Sequence, residues 1–187
     1  MLNIPEYKEY GGETKIALMD NSSLAFMHEL SQRSYPSDGI LSVYDLILIP
    51  KWVMEEIEDS TYRSNYVEQL RVHRYPVYWI DETKYGEFVN NEDVNLYYIV
   101  EAAVSRVSEL MRYLRRNIKT EDLIDLPSAE EWMNELYAKW PIHGRTLSTG
   151  RSLKKNAGEI SLTILAEVFA WYHDEIGSLT IYTQDTD

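Results

Sequence analysis

No cysteine occurs among the 187 residues, which removes disulfide frameworks and thiolate zinc centres at once and fits a reducing compartment. No apolar run approaches the roughly 18 residues that a membrane span needs, and no basic start with an apolar core precedes a cleavage site. The reading is a cytoplasmic protein without membrane attachment. The histidines His28, His73, His143 and His173 are scattered and form neither HExxH nor a His-x-His pair, so surface or core roles outweigh ligation. G-x-S-x-G, a P-loop and G-x-G-x-x-G are all missing, as are internal repeats. Basic residues are also scarce, 18 against 31 acids for a net charge of -13. That balance argues against a nucleic-acid partner, whose binding domains carry a basic footprint. The basic residues are nevertheless clustered, Arg106, Arg112, Arg115, Arg116 and Lys119 in one group and Arg145, Arg151, Lys154 and Lys155 in another. A solvated helix face and an ordinary surface loop account for the two groups equally well.

What is present centres on residues 15–23, KIALMDNSS. Ile16 to Met19 have no alternating polar face, as in a strand buried on both sides of a parallel sheet. Ligands in such sheets bind beyond the carboxyl ends of the strands, which is where Asp20 falls. A chain of this length makes one domain and buries roughly 70% of its unfolded surface.

The remaining segments read in order. Residues 1–13 form a polar lead-in arm, and Ser22 or Ser23 caps a helix to about Gln32. Residues 40–49 are extended and end in a second doubly buried strand, residues 46–49. Pro50 opens a helix over 51–59, with Val53 and Ile57 inward, Glu56 at the border and Glu55 toward solvent. A polar, helical stretch runs to Tyr75, a third strand occupies 77–80, and 81–93 is irregular. One long helix spans 94–116, its arginines in the last turns where the helix dipole favours cations. Ser128 and Glu131 make a capping box for a helix to about Lys139. Residues 142–155 lack periodicity and read as a mobile loop.

The strongest periodic segment follows. Gly158, Leu162, Leu165, Phe169, Tyr172 and Ile176 recur at helical steps from Asn156, and Gly177 stops the helix. Glu159 lies in its first turn, where the dipole favours a carboxylate in any case. Residues 179–182 form a last buried strand, with Asp185 just beyond it and Asp187 two residues later. The five tryptophans read as core anchors, Trp140 alone being kept as a base-stacking candidate. The element order implies an α/β three-layer sandwich with a central parallel sheet and right-handed crossovers.

If the first and last strands are neighbours, Asp20 and Asp185 leave the same edge about 4.8 Å apart, and Glu56 and Glu159 face the same hollow. Two such charges 4 Å apart repel by about 4 kcal/mol at an effective dielectric of 20, so a cluster needs a compensating cation. Oxygen donors without thiol or imidazole select Mg²⁺ or Mn²⁺, and a carboxylate-bound ion of that kind serves phosphoryl chemistry.

The segments KIALMDNSS, IPKWVMEEI, NAGEISLTILA and LTIYTQDTD together resemble the PIN-domain family of metal-dependent nucleases. The resemblance implies a strand-end acid with a hydroxyl neighbour at Asp20 and Ser22, a helix acid at Glu56, a second helix acid at Glu159, and a Thr-x-Asp turn at Thr183 and Asp185. It further implies an endoribonuclease acting on single-stranded RNA. Asp20, Glu159 and Asp185, with Asp187 beside them, would hold the ions, Glu56 would complete the site, and Ser22 and Thr183 would steady the carboxylates. Outside the family pattern, Arg112, Arg115, Arg116, Arg145, Arg151, Lys154 and Lys155 are candidates for binding substrate, the insertion that carries the first four being alternatively a partner surface. A toxin or defence effector restrained by an inhibitory protein, or a homo-oligomer, fits this class. The family pattern extends beyond its Thr-x-Asp turn whereas the sequence stops at Asp187, and residues 85–149 read as a helical insertion between the third and last strands. The competing reading is a catalytically silent member of the fold that binds RNA or docks a protein.

Overall fold

The computed structural model describes residues 4–33, 37–57, 60–90, 93–118, 126–147 and 150–183. A four-stranded parallel sheet in the order β3-β2-β1-β6 forms its centre, from β1 (Lys15–Met19), β2 (Leu46–Pro50), β3 (Val77–Ile80) and β6 (Ser178–Tyr182). Ile16, Ala17 and Leu18 pair with Leu46, Ile47 and Leu48, and all six are buried. The continuous apolar runs are therefore explained by helices covering both faces. The strand starts are aligned by Asp45, whose Oδ2 accepts from the Thr14 and Lys15 amides at 3.1 and 3.0 Å.

Right-handed crossovers decide the layers. The path β1 to β2 to β3 passes through α1 (Asn21–Gln32), α2 (Ser37–Leu41), α3 (Lys51–Ile57) and α4 (Thr61–Val72), which puts α1 and α4 on one face. Since β6 lies on the other side of β1, the return through α8 (Ala157–Tyr172) falls on the opposite face, where α5 (Asp93–Val104) packs against it. The connection out of β1 and the connection into β6 thus lie on opposite faces of the sheet, and the crevice between the two strands opens at their carboxyl ends.

Several sequence expectations change. The arm is not a free lead-in: Tyr7 N donates to Trp79 O at 2.7 Å and Trp79 N to Pro5 O at 3.0 Å, so it covers the open edge of β3 while Ile4 and Tyr7 become core. Residues 40–49 are not all extended, because the one-turn α2 buries Leu41 first. The irregular 81–93 contains a 3₁₀ helix, Glu82–Phe88. The long helix is two, α5 and α6 (Ser108–Asn117), broken at residues 105–107. In an unbroken helix at 3.6 residues per turn Leu110 would point about 120° away from Val104; the break lets both be buried.

Within 142–155 the described residues hold an antiparallel pair, β4 (His143–Thr146) and β5 (Ser152–Lys154), in place of the expected aperiodic loop, a pairing without the alternation that betrays strands in a sequence. The last helix stops at Tyr172, short of Ile176, because the Gly177 and Ser178 amides both donate to Thr14 O at 2.9 Å and draw the chain into β6. That strand is half exposed, with Ile181 at 45%, since it forms the edge. Trp171 is 72% exposed and no core anchor, whereas Trp140 is buried with its Nε1 on Lys155 O, so it offers no stacking face.

Ser128 does cap the helix: its Oγ accepts from Glu131 N at 3.4 Å, the serine half of the expected box, and opens α7 (Ala129–Ala138). Ser128→Ala should cost about 0.5–1 kcal/mol, the low end of the range for such caps, read as a lower urea midpoint at unchanged slope.

Candidate active site

Asp20 is the N-cap of α1, replacing the expected Ser22 or Ser23. Its extended backbone ends β1, its Oδ1 accepts from Ser23 N at 2.5 Å, and its Oδ2 accepts from Ser22 Oγ at 2.8 Å. Both carboxylate oxygens are thereby oriented, and the residue lines the cavity beside it. At 8% exposure Asp20 is one of few buried acids. The first-turn amides of a helix favour a carboxylate at this position.

The cavity, of about 760 Å³, lies at the carboxyl edge of β1 and β6 and is lined by Asp20, Ser22, Glu56, Glu159, Lys155 and Thr183 among others. Four segments far apart in the chain meet here: the β1–α1 junction, α3, the first turn of α8 and the residue after β6. Asp185 and Asp187 lie outside the described residues.

Glu56 is held by Asn21, whose Nδ2 donates to Oε2 at 3.2 Å. Burial pushes its carboxyl above the ordinary range and the Asp20 charge adds to that, against the Asn21 hydrogen bond and the charges of Arg145 and Arg63. The close approach of α8 to α3 depends on Gly158. A Cβ there would lie 3.0 Å from Val53 Cγ2 and 3.4 Å from Glu56 Oε1, so any larger residue would push Glu159 and Glu56 apart. Asn156 enters α8 in the left-handed conformation, φ 63°, which Asn adopts more readily than most residues.

Glu55 is not the solvent-facing acid that helical phase suggested. Its Oε2 accepts from Tyr137 Oη at 2.7 Å and from Arg151 Nη1 at 3.1 Å, while Arg151 Nη2 reaches the Glu55 carbonyl. Lys154 donates to the Tyr137 carbonyl and lies 4.1 Å over the Tyr137 ring. Arg151 and Lys154 therefore dock the hairpin on α3 and α7, while Arg145 and Lys155 attend the cavity.

Two features escaped the sequence reading. Asn21 carries no site role in the sequence pattern; its Oδ1 is buried without a hydrogen-bond partner among the described residues. Glu82 is fully buried, with Oε1 accepting from Trp52 N at 2.9 Å and Ser161 Oγ at 2.7 Å. It satisfies a first-turn amide that α3 would leave orphaned and ties α3, which carries Glu56, to α8, which carries Glu159. No spacing rule signals such a link.

Among the described residues no three His, Cys, Asp or Glu side chains come close enough to enclose a metal ion. Enclosure is not what Mg²⁺ requires: it keeps several waters and is held by one or two carboxylates. Asp20, Glu56 and Glu159 line the cavity with oxygen donors only, the donor type that a hard divalent ion takes.

Compared with protein-family models, curated proteins and solved structures, the chain matches none. Among the described residues no helix is long and apolar enough to cross a membrane.

Proposed function

We propose that the chain is a PIN-like, metal-dependent endoribonuclease that hydrolyses phosphodiester bonds of single-stranded RNA at this cavity, with α5 to α7 and the hairpin added between the third and last strands of the sheet. The observation that carries the reading is that Asp20, Glu56, Glu159 and Thr183, spread over more than 160 positions, line one hollow at the carboxyl edge of a parallel sheet.

A bound Mg²⁺ or Mn²⁺ would supply Lewis acidity, lowering the pKa of the water whose oxygen attacks phosphorus and stabilising the negative charge on the ribose oxygen that leaves as its P–O bond breaks. Asp20 and Glu159 would hold the ion, and the family resemblance would add Asp185 and Asp187 to them. Ser22 Oγ and Ser23 N keep the Asp20 carboxylate turned to the cavity. Glu56 Oε1, left by the Asn21 amide on Oε2, takes the proton from the attacking water. Its raised proton affinity suits that task, since a base works best with a pKa near the working pH. Lys155, in the cavity lining, binds a phosphate oxygen, and Arg145 steadies the ionised form of Glu56.

One observation favours a second reading, a silent RNA-binding or protein-docking module: the absence of three enclosing ligands among the described residues. Purified protein incubated with single-stranded RNA and Mn²⁺ separates the two. Cutting that stops in excess chelator is the expected result. Cutting that persists in chelator overturns the metal-dependent site, and RNA binding with no cutting at any metal concentration selects the silent module.

A further inference from the structure

The acidic cavity does not end at Glu159. It shares Asn156, Glu159 and Thr163 with a second hollow of about 340 Å³, also lined by Arg106 and Glu167. That hollow shares Ser105 with a third of about 570 Å³, lined by Ser105, Ser108, Met111, Arg112, Arg115 and Arg116. The break between α5 and α6 sits where the second and third meet, so the turn at residues 105–107 joins them.

The third hollow is chemically unlike the rest of an acidic chain. Its lining holds three guanidinium groups and two hydroxyls and no carboxylate. Positions 112, 115 and 116 fall on one side of α6, opposite the buried Leu110 and Leu114. Arg115 pairs with Glu101 at 3.0 Å, and Glu109 on the same helix lies near enough to Arg112 to act on it. No salt bridge among the described residues engages Arg106, Arg112 or Arg116. Helix-dipole complementarity explains cations in the last turn; it does not explain Arg106 or Arg112, nor the continuity with the acids. The contrast with Arg151 and Lys154, which are engaged in holding the hairpin, singles out α6 as the basic group turned to solvent.

We propose that this run of hollows is a track for a single-stranded RNA backbone, with the reacting phosphate over the acids and the flanking phosphates on Arg106, Arg112 and Arg116. It rests on the nuclease reading for its direction and on the arginine hollow for its ligand. Guanidinium forks match phosphate oxygens in pairs, and serine hydroxyls are ordinary phosphate donors. The acid-lined end excludes a polyanion unless a cation is present, so phosphates are gripped first at α6.

The test measures binding apart from cutting. Fluorescence anisotropy is read in excess chelator with oligoribonucleotides of roughly 4 and roughly 15 nucleotides, bracketing common single-strand footprints. Wild type is compared with Arg112→Ala/Arg116→Ala and with the charge-matched control Lys8→Ala/Lys139→Ala. For the longer strand the arginine variant should bind about tenfold more weakly, with a log-affinity against log-salt slope shallower by about 1.4, at about 0.7 per lost phosphate contact. The short strand, held in chelator at α6 alone, should weaken with the longer one, and the control should change by less than about twofold. Equal losses in both double variants, or no loss in either, overturn the track. Competition by polyglutamate as effective as that of unlabelled RNA also overturns it and assigns the hollow to an acidic protein. Chelator removes catalysis from every arm, so a chain that never cuts RNA refutes the nuclease while this result stands or falls by itself.

Discussion

Asp20→Asn should abolish Mn²⁺-dependent RNA cutting, by at least about 100-fold, and leave the fold intact. The lower bound follows from outer partners of metal ligands, whose loss already costs about 10- to 100-fold; a direct ligand loses no less. The fold survives because Asn is as good an N-cap as Asp. Its side-chain oxygen still accepts from Ser23 N, the 2.5 Å bond that starts α1. What it lacks is the charge and the second acceptor, on which Ser22 Oγ rests at 2.8 Å. Asp20→Ala would remove the cap as well, at about 1 kcal/mol, and blur a lost reaction with a loosened helix. Circular dichroism and the urea midpoint of Asp20→Asn should therefore match wild type within about 0.5 kcal/mol. Full activity in this variant would sink the site.

The second large effect concerns stability and pH. Burial pushes the Glu82 carboxyl up to about 8, against the hydrogen bonds from Trp52 N and Ser161 Oγ. Unfolded, the same group ionises near about 4.3. Between those values the folded chain holds a proton that the unfolded chain has released, so folding takes up one proton there. Its contribution is fully present below the lower value and is lost as pH rises through the upper one, by up to about 1.4 kcal/mol for each pH unit.

Glu82→Gln removes that slope while keeping an oxygen for Trp52 N and Ser161. Urea denaturation from about pH 5 to about pH 8.5 should find wild type losing stability with pH and the variant nearly flat, the two curves crossing. Above about pH 8 the variant is the more stable. Glu56, shifted the same way by burial, is common to both proteins, so the difference between the curves isolates Glu82. Parallel curves would show that Glu82 carries no proton in this range. Because the group joins α3 to α8, the same experiment asks whether the spacing of Glu56 and Glu159 is held by a neutral acid.

Much of this was legible without coordinates. Runs such as IALM and LILI are apolar at every position, and only a sheet covered on both faces accommodates that pattern. An acid directly after such a strand must emerge at the ligand-binding edge, which located Asp20; α8 declared itself and Glu159 by its apolar period. Elements of weak or conflicting pattern were not legible. In the stretch 94–116 each half is amphipathic, and only the relative phase of Val104 and Leu110 betrays the break. The hairpin at 143–154 has no alternation because its faces are polar; its position comes from Arg151 and Lys154 reaching α3 and α7.

The sequence by itself determined the parallel sheet, the helix that carries Glu159 and the strand-end place of Asp20, because these follow from local periodicity and from the directions in which strands release their chains. Tertiary structure alone decided that β6 pairs with β1 rather than β3, that Glu55 is bound by Tyr137 and Arg151 while Glu56 turns to the cavity, and that Glu82 is buried between two helices. Those facts depend on which distant surfaces meet, and the free energy of a contact between residues some 80 positions apart leaves no period in the chain to be read.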